Sequence, residues 1–555
     1  MFKKGLCGIL IKSENLKNIR RKNLKIFKKK YLFVSAVFIF SMAFMSCRNE
    51  TMGKTETVPV QTEVLKPEPP KEFLYTTALK TSVLDSYETK KITDVLKKNT
   101  RLLVAERKDV EIININAENK QEKTPAPKPV KKEKPFVNDD EKVNIIFSET
   151  TEKQQEEVKT AENNEPKKYE KWVRVKYRKD LKEKEGWILE KHLTANTHKL
   201  LPASWNGLQL KDFPAKTEFS DNPKIDVKGI YLTVYSASSE KKMDALIQLA
   251  KESEINAFVI DVKDDGGQLL FKMDDSILKY NPKAFSKVYI KDMEKFMKKL
   301  KDNNIYTIAR IVSFKDPVYA KQNPDKAIIE KKTGKPFMNK DGIIWVSPHD
   351  KNLWEYNVAV AKEAAKAGFN EIQFDYVRFP ASNGGKLDAY LDYRNPEKDS
   401  KPVTIQKYLK YAWEELTPYH VYINADIYGQ IGTFQDDMGL GQYWEAISGY
   451  VHYISPMMYP SHYINGAYGI PVPDAAPYKT IYYSTLDSIN RNENIDNGAE
   501  IRPWIQDFTA KWVKGHITYD TKTVKEQIKA LEDLGIHQYL LWSPSNRYHV
   551  EKNNK

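Results

Sequence analysis

The sequence predicts an α/β protein whose C-terminal part is a (β/α)₈ barrel. A small all-β domain, interrupted by a disordered insertion, precedes it. Three observations carry this. Eight short, almost continuously apolar runs recur between residues 226 and 550. Amphipathic stretches of helical period alternate with them. Upstream, two blocks of strand-like sequence flank a low-complexity segment rich in Lys, Glu and Pro.

The barrel elements come in order. "KGIYLTVYS" is the first strand; "SSEKKMDALIQLAKES" follows with Met243, Leu246, Leu249 and Ala250 on one helical face. "INAFVIDV" is the second strand, and "KDMEKFMKKLKDNN" places Met293, Phe296, Met297 and Leu300 at helical spacing. "IYTIARIVS" is the third. Asp350 is positioned to cap the next helix, which stops at Gly368. "EIQFDYV", "HVYINADI", "YVHYISPMM", "IRPWIQDF" and "HQYLLWSP" are strands four to eight, and Asp520 is a cap for the last helix. Runs this apolar suit parallel strands buried on both faces, and eight strand–helix units over this length favour a closed barrel over an open doubly wound sheet. No glycine-rich nucleotide fingerprint follows the first strand, and no phosphate-binding loop motif occurs.

Ahead of the barrel the organisation is modular. Residues 1–46 read as a secretory segment. The first thirty hold eleven Lys or Arg against one acid, Glu14, and so supply ten of the fourteen net positive charges of the 555-residue chain. The apolar "YLFVSAVFIFSMAFMSC" that follows is short for a membrane span and ends at Cys47. A start nearer Leu24 would give the basic prefix ordinary length. With the prefix set aside, the remainder is nearly charge-balanced, which argues against nucleic acid as a partner. The only other cysteine is Cys7, so beyond Cys47 neither a disulfide nor a cysteine metal site is expected. Residues 47–72 read as a disordered tether, 73–196 as the β domain with its insertion at 117–168, 197–225 as an extended linker, and 226–550 as the barrel.

Barrels of this kind carry chemistry at the C-terminal ends of their strands. The polar and aromatic residues there are Tyr235 after strand one; Asp261, Lys263, Asp264 and Asp265 after strand two; Arg310 and Ser313; Asp375, Tyr376 and Arg378; Asn424, Asp426 and Tyr428; Ser455, Tyr459 and His462; Trp504, Gln506 and Asp507; and Trp542 with Ser543. Carboxylates among aromatic faces are what a carbohydrate cleft needs. Glycoside hydrolysis uses two carboxyl groups, one protonated and one ionised. Asp375, Asp426 and Asp507 are the catalytic candidates, with Arg378 or Arg310 keeping the nucleophile charged. Tyr235, Asp264, Arg310, Tyr376, Arg378, Tyr428, Tyr459, His462, Trp504 and Trp542 are the candidate substrate contacts. No cofactor or metal is expected: His349, His452, His462 and His537 fit no ligand spacing, and "KDDGGQ" lacks a calcium-loop pattern, reading as a substrate loop or a turn.

Three resemblances sharpen these expectations. "KGIYLTVYSA", "INAFVIDVKDDGGQL", "IYTIARIVSFKDP", "FNEIQFDYVRFP", "ADIYGQ", "ISPMMYPSHY" and "IRPWIQDF" occur in barrel order, and residues 226–548 thereby resemble a bacterial glycosyl hydrolase family of unassigned function. Its similarity to α-amylase-type barrels implies Asp375 as nucleophile, Asp426 as acid, although Glu is common there, and Asp507 as the strand-seven carboxylate. "TSVLDSYETKKITDVLKKNTRL", with Trp172-Val-Arg-Val175 and Gly186-Trp187-Ile188, resembles the two ends of a bacterial Src-homology-3-like domain, which implies cell-wall material as a partner; a generic β spacer is the alternative. Phe44-Met45-Ser46-Cys47 resembles a lipoprotein signal, which implies lipidation at Cys47 and membrane attachment in the cell envelope; an uncleaved anchor is the alternative. The expected function is hydrolysis of a cell-surface polysaccharide, or carbohydrate binding without turnover. A metal-dependent deacetylase is disfavoured, since no Asp-plus-two-His set appears.

Overall fold

The structure, a computed structural model, describes residues 71–112, 168–339, 342–382 and 385–553. The expected signal segment, Cys47, nearly all of the tether and the insertion up to residue 167 lie outside the described residues.

The upstream blocks form one antiparallel sheet of seven strands, in spatial order Ile92–Lys97, Lys80–Leu84, Lys182–Leu189, Tyr169–Lys179, Arg101–Glu111, Phe73–Thr76 and Leu193–Thr194. Glu111 pairs directly with Tyr169, so the chain leaves and re-enters the sheet at one place. Alternation in "YEKWVRVKYRK" sends Val173, Val175 and Tyr177 into a small core with Leu74, Val83, Leu96, Leu102 and Ile188. A two-residue turn at Asp180 and Leu181, both at positive φ, joins the longest hairpin. That turn is bonded to the barrel through Asn490, which accepts from the Asp180 N–H at 2.8 Å and donates to its carboxylate at 3.0 Å. Arg101–Asp496 and Lys97–Asp487 ion pairs add to the contact.

The second sheet closes on itself through eight parallel strands. In chain order they are Lys228–Leu232, Ala257–Lys263, Tyr306–Val312, Glu371–Asp375, Tyr422–Tyr428, Tyr453–Met457, Trp504–Gln506 and Tyr539–Trp542. Each pairs with the next, and the eighth pairs with the first at Leu540↔Gly229. All eight expected strands are present. Leu540 packs so close to Gly229 that a Cβ there would lie 2.6 Å from its side chain, which is why strand one needs a glycine.

Inward and outward residues alternate along each strand. In "EIQFD", Ile372 and Phe374 face the helices and join the main core. Glu371, Gln373 and Asp375 face the barrel axis, where Val259, Tyr306, Ile308, Trp504 and Leu540 pack. The helices Glu240–Glu252, Met293–Asp302, Lys351–Lys366, Lys401–Leu416, Pro477–Asn492 and Thr521–Glu532 cover the outside. Asp520 makes the expected cap, accepting from Thr523 N–H at 3.0 Å. Asp350 stands at the cap position but accepts the Tyr319 hydroxyl at 2.7 Å.

One local expectation changes. Strand one stops at Leu232, because Thr233 caps a short helix, Val234–Ala237, by accepting from Ser236 N–H. Of the two readings of "KDDGGQ", the structure has the turn: Asp264 accepts from the Gly266 and Gln268 N–H groups at 2.9 and 2.8 Å, and Gly267 takes φ +76°. None of the described helices is long and apolar enough to cross a membrane.

Candidate active site

Arg310 organises the open end of the barrel. It is 1% exposed and sits where the register between strands two and three shifts, a bulge that re-aims a side chain. Its Nε and Nη2 donate to Asp375 Oδ2 at 2.9 and 2.6 Å. Its Nη1 donates to Asp261 Oδ1 at 2.5 Å, and Nη2 also reaches Asp265 Oδ1 at 3.1 Å. Asp261 Oδ2 accepts the Tyr231 hydroxyl at 2.6 Å. Lys315 bridges Asp265, at 3.2 Å, and the Tyr376 hydroxyl, at 3.3 Å.

Asp426 lies near the C-terminal end of strand five and is buried. Its Oδ1 accepts the Trp504 indole N–H at 2.7 Å. Burial first, and then the negative charge of Asp375, push its carboxyl well above the usual carboxylate range; the Trp504 bond opposes this more weakly. Burial likewise pushes Asp261 up to about 7, against the pull of Arg310. Tyr459 lies in the same field: burial and the charges of Asp426 and Asp375 raise its phenol. The arrangement sets Asp426, whose carboxyl burial biases toward the protonated form, near Asp375, which takes two hydrogen bonds from the Arg310 guanidinium. That is the division of labour acid–base cleavage requires.

Aromatic surface surrounds the acids. Trp542 stacks on Tyr231 with ring centres 4.1 Å apart, and the Arg310 guanidinium lies 5.5 Å from the Trp542 ring. Tyr459 meets His462 and Phe508 edge-on at 5.3 and 5.9 Å.

Several expected residues do other things. Arg378 does not pair with Asp375. Tyr376 takes φ +47°, turning the chain, and Arg378 then donates to the Phe379 carbonyl at 3.0 Å, its guanidinium between the rings of Trp345 and Tyr428. Asp507 is taken up by the C-terminal segment, accepting His549 N–H at 2.8 Å with His549 Nδ1 2.7 Å away. Burial raises its carboxyl and His549 opposes that. Asp264 anchors its own turn. Tyr235 rides on the short helix after strand one, exposed, edge-on to Tyr289. Trp504 is buried against Asp426 and offers no free face. Asp261, expected at the strand-two rim but not among the catalytic or substrate candidates, and Tyr231, not singled out from the sequence, are both central to the geometry. A lone Asp inside the apolar "AFVIDV" run is the signal that marks Asp261. Among the described residues, no group of three or more His, Cys, Asp or Glu is placed to hold a metal ion.

A family described as "Putative glycosyl hydrolase domain" is matched over residues 229–548, more than half of the chain. No curated protein matches. Among solved structures, a hypothetical protein from Ruminiclostridium thermocellum ATCC 27405 is 31% identical, covering 38% of this chain and 98% of that one, with a TM-score of 0.31. The glycoside hydrolase domain of PgaB (BpsB) from Bordetella bronchiseptica is 13% identical over 58% and 94%, with a TM-score of 0.39. The α-galactosidase TtGalA from Thermus thermophilus is 11% identical over 68% and 71%, with a TM-score of 0.37. These are similarities, and none carries its own substrate to this chain.

Proposed function

The chain belongs to this family of glycosyl hydrolase domains, and on that premise we propose that its barrel cleaves an O-glycosidic bond of a polysaccharide at the bacterial cell surface. One observation carries the reading. At the open end, Asp375 accepts two hydrogen bonds from Arg310, while burial and the nearby Asp375 push the carboxyl of Asp426 well above the usual carboxylate range.

The roles follow from those states. Asp426 donates its proton to the glycosidic oxygen as the bond to the anomeric carbon breaks. Asp375 meets the positive charge that develops on the sugar and forms an ester to it. Water, losing its proton to the now ionised Asp426, releases the sugar and restores both groups. Arg310 positions Asp375 without leaving it. Half-buried Trp542, backed by Tyr231, supplies an apolar wall for the sugar C–H face. Asp is about one methylene shorter than the Glu common at the acid position, and the Trp504 bond fixes where Asp426 points. The upstream sheet, as a Src-homology-3-like domain, would hold cell-wall material, and a lipid on Cys47 would keep the enzyme outside the cytoplasmic membrane.

Incubating the purified protein with α- and β-linked glycans and assaying reducing ends tests the activity. New reducing ends, absent with Asp426→Ala, are expected; glycan binding with no product from any member contradicts turnover. Labelling with a palmitate analogue tests location: wild type is tagged and Cys47→Ala is not, whereas equal labelling rejects the anchor.

A further inference from the structure

We propose that Trp512 is an outer sugar-binding platform, and that the substrate is therefore a chain of several sugar units threaded past the acid pair. This rests on the glycosidase reading and specifies the substrate's size and path. Trp512 is 70% exposed, yet it is not an isolated surface residue. It stacks on Phe508 with ring centres 6.0 Å apart and planes within 21°. Phe508 meets Tyr459 at 5.9 Å, and Tyr459 meets Trp542 at 6.4 Å. Trp542 in turn stacks on Tyr231, whose hydroxyl bonds Asp261. A chain of ring contacts thus runs from the acids through buried Tyr459 and half-buried Phe508 to solvent, ending on an exposed indole. Leaving so large an apolar face in water costs free energy unless something covers it. Its link to the acid pair through these rings argues that the occupant is the substrate itself.

The loop that carries Trp512 is fixed. Gln506 Nε2 donates to the Phe508 carbonyl and to Asp474 at 3.0 Å each. At the far end, Tyr519 N–H donates to Thr509 Oγ1 at 3.1 Å and its hydroxyl to the Asp474 carbonyl at 3.1 Å. A platform held in place loses little entropy on binding, so stacking there adds directly to affinity. Two rings separate Trp512 from Trp542, so one sugar at the acid pair leaves the indole uncovered, and further units of the same chain reach it.

The test uses the whole protein carrying Asp375→Asn, which blocks turnover, with and without Trp512→Ala or Trp512→Phe. Oligosaccharides of two to eight units from the cello-, chito-, chitosan- and malto-series are titrated by calorimetry. In the series that binds, affinity should rise with length. Trp512→Ala should remove about tenfold from the long members and leave the shortest unchanged, Trp512→Phe should recover much of the loss, and melting should not move. Equal affinity of Trp512→Ala at every length, or no binding in any series, overturns the platform. Length-dependent binding that needs Trp512, in a protein whose wild type cleaves nothing, supports the platform and removes only the hydrolase reading.

Discussion

Strand four carries an acid at each end, and the two ends of the barrel use their acids in opposite ways. At the closed end, Glu371 faces Arg502, and both are fully buried. Arg502 Nη1 donates to both carboxylate oxygens at 2.8 and 2.7 Å, and Asn424 donates to Oε1 at 2.8 Å. The guanidinium also lies 3.6 Å from the Tyr453 ring centre, and its Nε donates to Gln538. One cation meets one anion. Four residues on, Asp375 shares Arg310 with Asp261 and Asp265, and Asp426 stands close enough to feel its charge. A matched pair locks the sheet, whereas a surplus of acids around one buried guanidinium pushes the carboxyls of Asp426 and Asp261 upward. Stoichiometry, more than residue type, separates the structural cluster from the reactive one.

Substitutions should separate the two ends. Asp375→Asn should lower turnover roughly 10²–10⁴-fold or more. Its melting temperature should move little, because Arg310 keeps Asp261 and Asp265; assays of activity and calorimetric melting on one preparation check both. Glu371→Gln should do the reverse. It leaves Arg502 buried without its carboxylate, which costs about 3–5 kcal/mol, while activity per folded molecule stays near wild type. Denaturant unfolding beside active-site-normalised rates decides; an Asp375→Asn protein that unfolds early yet still turns over would make strand four structural at both ends.

Protons give a third contrast. Asp261 is raised from 3.8 to about 7 in the folded chain. A carboxyl raised on folding stabilises fully below its unfolded value, and that stability drains away as pH rises through the folded one. Folding stability should therefore fall between about pH 4 and 7, and Asp261→Asn should flatten that slope. Urea titrations across the window measure it, and an unchanged slope in the variant contradicts the assignment. The smallest effect belongs to Asp507. Losing its His549 bonds in Asp507→Ala should cost about 1–2 kcal/mol with turnover kept; a loss of turnover at full stability would return Asp507 to the chemistry.

Much of this is legible in the sequence. Strands buried on both faces must be apolar throughout, so the eight runs declare themselves, and an Asp or Arg inside or ending such a run stands out. That brings Asp375, Asp426 and Arg310 forward. Choosing between Arg310 and Arg378 was not possible from spacing. It depends on the lateral register that sets Val312 beside Asp375, and on the positive φ of Tyr376, which turns Arg378 away. The fate of Asp507 depends on His549, 42 residues further on. Asp264 and Asp261 differ by three positions, and only the hairpin at Gly267 decides which one faces the axis.

The proton on Asp426 is the point on which the account stands. Carbon-13 resonances of the aspartate carboxyls, followed against pH and assigned with Asp426→Asn, read it directly. The account predicts that Asp426 is still protonated at pH 7 and titrates well above the carboxylate range, and that its midpoint drops when Asp375 is replaced by Asn. An Asp426 that is ionised at pH 6, with a midpoint indifferent to Asp375, contradicts it.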